Sequence, residues 1–265
     1  MRRIVLTTVI VFLSAIALAQ STSPAALYDR GMDAITGVGS SRNDVQGIEY
    51  FRRSADLGYG PAQIALAYYY ATGTLVASNP SLAVDLYRKA AQQGDPLGGW
   101  LAGRHYFLGE GVPRDLDVAQ KLLKLSADQN NAYGAYYLGR LMADRDYTKA
   151  PKFYKIAADQ GLPQAQYFYA KTLKDGRGIP QDRFTAHIWY TIAADAGYSA
   201  ATADIVEIER SGNLTVEQIA DANAKARDLE QVVIRAVTSR GCSGWTGEFD
   251  EFPTPPPPQL QRFCH

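Results

Sequence analysis

The sequence predicts an all-α solenoid made of five helix pairs, each spanning about 36 residues. Three observations predict it: similar pentapeptides recur along the chain, each ends a helical apolar pattern, and a second helical pattern precedes each one. The chain is 46% hydrophobic and 20% charged, which is typical of chains that fold around an apolar core. A repeat array can therefore occupy most of its length.

The recurring pentapeptides end in glycine, or in asparagine in the third copy. Their last residues are Gly58, Gly94, Asn130, Gly161 and Gly197, at spacings of 36, 36, 31 and 36 residues. A small residue and then an aromatic residue or leucine precede each end at helical spacing. These pairs are Gly47 and Phe51, Ala83 and Tyr87, Ala119 and Leu123, Ala150 and Tyr154, and Ala186 and Tyr190. The pattern predicts the second helix of each pair, helix B, closed by a left-handed residue.

A further apolar pattern upstream predicts the first helix of each pair, helix A. Glycine pairs in the connecting loops, at 37–39, 109–113 and 176–180, indicate turns. A phosphate-binding loop is not indicated, because no strand precedes these glycines and the full dinucleotide fingerprint is missing. The fourth pair lacks five loop residues, so we expect a shortened loop at 143–146 and a local notch there.

The third and fifth repeats carry a family resemblance. Tyr106, the loop 109–115, Ala119 and Ser126, together with Trp189 and Tyr190 as a pair in the fifth repeat, resemble the Sel-one-like repeat (SLR) family, relatives of the tetratricopeptide (TPR) repeats. The resemblance implies a right-handed α-solenoid of helix-turn-helix repeats whose A helices line a concave groove. It also implies protein binding, as in bacterial envelope adaptors, signalling regulators and host-interaction factors.

The predicted organisation has four parts. They are a signal peptide at 1–19, repeats at 26–61, 62–97, 98–133, 134–164 and 165–200, C-terminal capping helices at 201–240, and a Pro-rich tail at 241–265. Thr215 and Gln218 form the pattern of a capping box, which predicts the start of a long final helix.

The N-terminus reads as a signal peptide. Arg2 and Arg3 precede an apolar stretch that ends in Ala-Leu-Ala at 17–19, which predicts cleavage after Ala19 and a periplasmic or secreted protein without stable membrane insertion. An uncleaved anchor is the alternative, although the stretch is shorter than the ~20 residues that span a bilayer. Without Arg2 and Arg3 the acidic residues outnumber the basic ones by two, so no nucleic-acid partner is indicated.

Cys242 and Cys264 are the two cysteines of the chain. An oxidising compartment favours a disulfide between them, worth roughly 3 kcal/mol in the chain-entropy model. Two free thiols, or a metal site that includes His265, are the alternatives.

No constellation of residues indicates catalysis, a metal or a cofactor, so we expect a protein that is not an enzyme. The three histidines do not share a helix face, and no Gly-x-Ser-x-Gly motif is present. His187 is interpreted as a surface or partly packed imidazole.

The helix A positions outside the core pattern form two rows, one largely basic and one apolar. The candidate protein-binding residues are Tyr68, Tyr69, Arg104, His105, Arg140, Leu141 and Lys171. Such rows suit a partner with acidic and hydrophobic residues. The alternative is that the apolar row packs on the next repeat and the basic row is solvated.

The favoured hypothesis is a non-enzymatic scaffold, adaptor or regulator that binds an envelope or host protein in the groove. One alternative is a hydrolase of cell-wall or β-lactam substrates, a chemistry linked to cysteine-rich members of the family, although these repeats contain no cysteine. Another is a structural subunit of an envelope machine.

Overall fold

The computed structural model describes residues 23–239, which form twelve α-helices and one short 3-10 helix and contain no β-strand. The helices are α1 (Pro24–Thr36), α2 (Asp44–Asp56), α3 (Gly60–Thr72), α4 (Pro80–Gln92), α5 (Pro96–Leu108), α6 (Leu116–Asp128), α7 (Ala132–Arg145), α8 (Ala150–Ala158), α9 (Pro163–Asp175), α10 (Arg183–Asp195), α11 (Ala200–Arg210) and α12 (Val216–Ser239). The predicted signal peptide, the tail 241–265 and both cysteines lie outside the described residues.

The predicted all-α fold of five helix pairs is confirmed, with α11 and α12 after the last pair. The helices belong to two compact units, residues 23–98 with 110–112 and residues 99–109 with 113–239. In the first unit α1 packs on α2, α2 on α3 and α3 on α4. In the second unit neighbours in sequence pack from α6 through α10, and α10 contacts both α11 and α12.

The predicted buried face of the B helices is confirmed. Phe51, Tyr87, Leu123, Tyr154 and Tyr190 are each at most 2% exposed. Full burial of such side chains stabilises by roughly 1.5–3 kcal/mol each. The A helices approach closely: a Cβ on Gly139 would lie 2.7 Å from the Tyr154 ring, so only glycine fits there without a shift of the ring.

Helix α6 ends as the asparagine at its pentapeptide predicts. Asn130 has a φ of 62°, and the glycines at the four equivalent positions also have positive φ. The backbone N–H of Asn131 then donates to the Ser126 carbonyl at 3.2 Å, which satisfies a carbonyl in the last turn of the helix. Each repeat thus ends its B helix in the same way.

The fourth pair departs from the expected loop. Helix α7 continues to Arg145, and Asp146 leads directly into a 3-10 helix, Tyr147–Lys149, that precedes α8. The Asp146 carboxylate accepts a hydrogen bond of 2.6 Å from the Thr148 hydroxyl. The predicted loop at 143–146 is therefore wrong for its first three residues. The fourth pair has no glycine pair at this point, so α7 continues until Asp146 caps the 3-10 helix.

The predicted capping box at the start of α12 is present. The backbone N–H of Thr215 donates to the Gln218 side-chain oxygen at 2.8 Å, and the N–H of Gln218 donates to the Thr215 hydroxyl at 3.2 Å. Over the described part of the chain, every helix is too short or too polar to traverse a lipid bilayer.

Candidate functional site

The A helices of the second unit carry a basic residue at one repeated position: Arg104 on α5, Arg140 on α7 and Lys171 on α9. Arg104 is 8% exposed, and its Nε donates a hydrogen bond of 3.1 Å to the Tyr137 hydroxyl on α7. This bond joins two successive repeats. Arg104 therefore acts as a contact between the repeats and has little surface in solvent.

Arg140 is half-buried among aromatic rings. Its guanidinium carbon lies 5.4 Å from the ring centre of Tyr137, 5.6 Å from that of Phe107 and 5.9 Å from that of Tyr136. Contacts of this kind stabilise by about 0.5–2 kcal/mol and restrict the side chain. Phe107 and Tyr136 were not among the predicted residues. Tyr136 lies four residues before Arg140 on α7, a spacing that brings side chains together on one helix face. For Phe107, on α5, the one signal is the aromatic richness of the A helices. We call Arg104, Phe107, Tyr137, Arg140 and Lys171 the basic–aromatic face.

Two cations of this face have no carboxylate near them in the described part of the chain. Among residues 23–239, neither Arg140 nor the half-buried Lys171 has a carboxylate within salt-bridge distance. Lys174, almost one turn further along α9, differs, because it contacts Asp204 at 2.5 Å and Glu207 at 2.9 Å. Burial alone would lower the pKa of Lys174, but its hydrogen bonds to these two carboxylates outweigh burial and raise it.

The predicted apolar row lies in the interior of the second unit. Leu141 is fully buried and His105 is 3% exposed. Leu141 therefore packs within the repeats, as the alternative interpretation holds for this row, and presents no surface to a partner. Arg140 and Lys171 are half-buried, so each keeps some surface that a partner could contact. Their role in binding stays a prediction.

The two predicted residues of the first unit, Tyr68 and Tyr69, are half-buried on α3. Tyr69 stacks on Phe51 with 6.1 Å between ring centres, and Tyr68 meets Tyr69 edge-on at 5.4 Å. Burial raises the pKa of Tyr69 to about 12 and also raises the pKa of Tyr68. Both hydroxyls are therefore protonated at neutral pH and can donate hydrogen bonds.

His187 lies in the core, so its interpretation as a surface or partly packed imidazole is wrong. The side chain is fully buried, with Nε2 3.0 Å from a Glu209 oxygen on α11 and Nδ1 3.4 Å from the Thr191 hydroxyl. The next helix along the chain, α11, supplies the Glu209 contact, which the local pattern in α10 did not indicate. No group of histidine, cysteine, aspartate and glutamate side chains within 23–239 is arranged to hold a metal ion.

A polar pocket of about 320 Å³ is a second candidate site in the same unit. Its lining includes Lys174, Arg183, Glu207, Ser211 and Asn213. Small-molecule sites are usually larger and lined mainly by apolar side chains. The basic and acidic side chains of this pocket also balance each other, so it does not favour a charged ligand, and the basic–aromatic face is the stronger candidate.

Comparison with protein families identifies the repeats. The Sel1 repeat profile matches residues 24–59, 60–95, 100–131, 131–162 and 163–198, well over half of the chain. The chain belongs to the Sel1 repeat family. Sel1 repeat proteins generally mediate protein–protein interaction, and their fold is typically a non-enzymatic scaffold.

The chain is also similar to solved structures. A Sel1 repeat protein from Oxalobacter formigenes is 25% identical, with a TM-score of 0.68 over 80% of this chain and 86% of that one. A protective antigen of uropathogenic Escherichia coli strains that displays an SLR fold is 23% identical, with a TM-score of 0.53 over 84% of this chain and 56% of that one. An immunity protein from Pseudomonas aeruginosa is 20% identical, with a TM-score of 0.46 over 90% of each chain. Among curated proteins, no sequence matches this Sel1 repeat chain.

Proposed function

We propose that this Sel1 repeat protein is a non-enzymatic adaptor or regulator of the bacterial cell envelope that holds a partner protein on its basic–aromatic face. The observation that carries the proposal is Arg140, a half-buried cation ordered by three aromatic rings and not neutralised by any carboxylate of the described chain.

The geometry suits recognition because the binding groups are ordered before a partner arrives. Arginine and tyrosine dominate the energetic centres of protein interfaces, and an ordered side chain loses less entropy on binding. Arg104 holds the Tyr137 hydroxyl, and Tyr137 in turn supports Arg140. A partner that offers carboxylates could pair with Arg140 and Lys171, whereas Phe107 and Tyr137 are buried and act by holding the arginine in place.

The envelope location rests on the N-terminal sequence. Arg2 and Arg3 before the apolar stretch, and the small residues at 17 and 19, support export and cleavage after Ala19. We expect the mature protein in the periplasmic or secreted fraction to begin at Gln20. Intact-mass measurement of the protein from that fraction tests this, and a cytoplasmic protein that retains Met1 would contradict it.

Partner binding is tested by crosslinking and pull-down from the periplasm. The wild type is compared with the double variant Arg140→Glu and Lys171→Glu, while Arg104 is left unchanged because its reversal would disturb the buried contact with Tyr137. The control is Lys121→Glu with Lys155→Glu, an equal change of net charge at two exposed positions.

We expect the first double variant to recover at least about tenfold less of a specific partner than the wild type does. Truncating a hot-spot residue of an interface costs about 2 kcal/mol or more. The control should recover that partner as well as the wild type does. Circular dichroism must show equal helix content in all three proteins. Recovery of the same partners by both double variants would rule out this face as the binding site.

A further inference from the structure

The chain itself contains a segment that complements the basic–aromatic face. Residues 245–252 read Trp-Thr-Gly-Glu-Phe-Asp-Glu-Phe, which combines three carboxylates and three aromatic side chains without a basic residue. From the charge and chemistry of this face we infer that, when no other protein is bound, the same chain's residues 245–252 occupy the basic–aromatic face and restrict access to it. This inference rests on the proposed function.

Charge complementarity is the first argument. Arg140 and Lys171 are half-buried cations that no carboxylate of residues 23–239 neutralises. Glu248, Asp250 and Glu251 follow one another within four residues, so an extended segment can place a carboxylate near each cation. Charge-assisted pairs of this kind are stronger than neutral hydrogen bonds, and an arginine can hold a carboxylate through two parallel bonds.

The second unit also offers an aromatic side chain that could receive one from the segment. Phe168 on α9 is half-buried, and its ring stacks on Tyr154 with 5.5 Å between centres. It belongs to the same helix as Lys171 and lies almost one turn before it. An incoming aromatic ring such as that of Phe249 can extend this stack while the neighbouring carboxylates meet the cations.

The chain is long enough to reach. Helix α12 ends at Ser239, and α10 packs against both α12 and α9. Packed helix axes lie 8–10 Å apart, so α9 is laterally within about 20 Å of α12. Residues 240–252 span up to roughly 45 Å when extended. The extended length therefore exceeds this lateral distance about twofold.

Attachment to the same chain makes even weak docking effective. A segment joined to its binding face by a few residues acts at an effective concentration of roughly 1 mM, so a dissociation constant of about 100 µM would keep the face occupied about nine-tenths of the time. A partner would then bind about tenfold more weakly than to an open face. The segment would act as an internal competitor that only an acidic, aromatic partner of higher affinity displaces.

The test uses the full chain with a photoreactive benzoylphenylalanine at position 249. After irradiation at low micromolar concentration, we expect intrachain crosslinks from position 249 to peptides of α7 and α9, mapped by mass spectrometry. Adding Arg140→Glu with Lys171→Glu should reduce these crosslinks at least fivefold. Adding Lys121→Glu with Lys155→Glu should leave them unchanged.

Three results would overturn the inference: no crosslink to α7 or α9, equal crosslinking in both double variants, or crosslinks between chains that grow with concentration, which would indicate a second copy as the occupant. Partner recovery separates this failure from failure of the proposed function. If Arg140→Glu with Lys171→Glu loses the partner but position 249 does not crosslink to the face, the proposed function stands and the inference fails. If crosslinking occurs but partner recovery is unchanged, the proposed function fails.

Discussion

Alkaline pH should unfold both units by ionising tyrosines that the repeats bury. Burial, as the largest cause, raises the pKa of Tyr28 in the first unit and of Tyr133 in the second to about 12. Neighbouring hydroxyls, from Tyr59 and Tyr137 respectively, add to the shift. The pKa of a tyrosine in the unfolded chain is about 10. The unfolded chain therefore releases these protons at lower pH than the folded one.

The sign and size of the effect follow from this difference. Because the folded pKa is the higher one, the stabilisation is complete below about pH 10 and is lost as pH rises towards 12. Each tyrosine then costs about 1.4 kcal/mol at about pH 11 and at most roughly 2.7 kcal/mol above pH 12. Against a total stability of about 5–15 kcal/mol, a few such groups suffice to unfold a domain.

The assay follows helix content by circular dichroism and tyrosinate formation by ultraviolet absorbance along one alkaline titration. Between neutral pH and about pH 11, Tyr133→Phe should lose about 1.4 kcal/mol less free energy of unfolding than the wild type loses. Tyr28→Phe should act in the same way on the first unit. Tyr50→Phe is the control, because that hydroxyl lies at the exposed surface. Complete tyrosinate formation near pH 11 with full helix content would refute the burial argument.

Two further predictions concern stability near neutral pH. Asn130→Val should cost about 1–2 kcal/mol because its φ of 62° disfavours a β-branched residue, whereas Asn130→Gly should be neutral or stabilising, and equal denaturation midpoints would contradict this. Lys174→Met should cost about 1–3 kcal/mol in urea unfolding because it leaves the mostly buried Asp204 carboxylate without its cation. Lys155→Met, which breaks an exposed pair with Asp159, should change stability by less than about 1 kcal/mol, and equal losses for the two lysine variants would show that burial of the Lys174 pair does not matter.

The local pattern was sufficient for the helices but not for the site. The small and aromatic positions of the B helices, such as Ala150 and Tyr154, are buried as expected, because a helical face depends only on spacing within one element. Only part of the surroundings of Arg140 was predictable in this way. Tyr137 lies three residues before Arg140 on α7, so that contact depends only on spacing within one helix. Phe107 lies on α5, and its contact with the guanidinium depends on how successive repeats pack. The burial of His187 depends in the same way on α11.

The sequence by itself determined the repeat, the closing residue of each B helix and the all-α fold, because each depends on interactions within about one helix turn or one tight turn. Tertiary structure alone decided which polar side chains of the A helices are exposed. Arg104 and Arg140 occupy the same repeat position, yet Arg104 is buried against Tyr137 while Arg140 remains half-buried among rings. The physical reason is that burial is set by the next repeat, whose side chains at equivalent positions differ in size and chemistry.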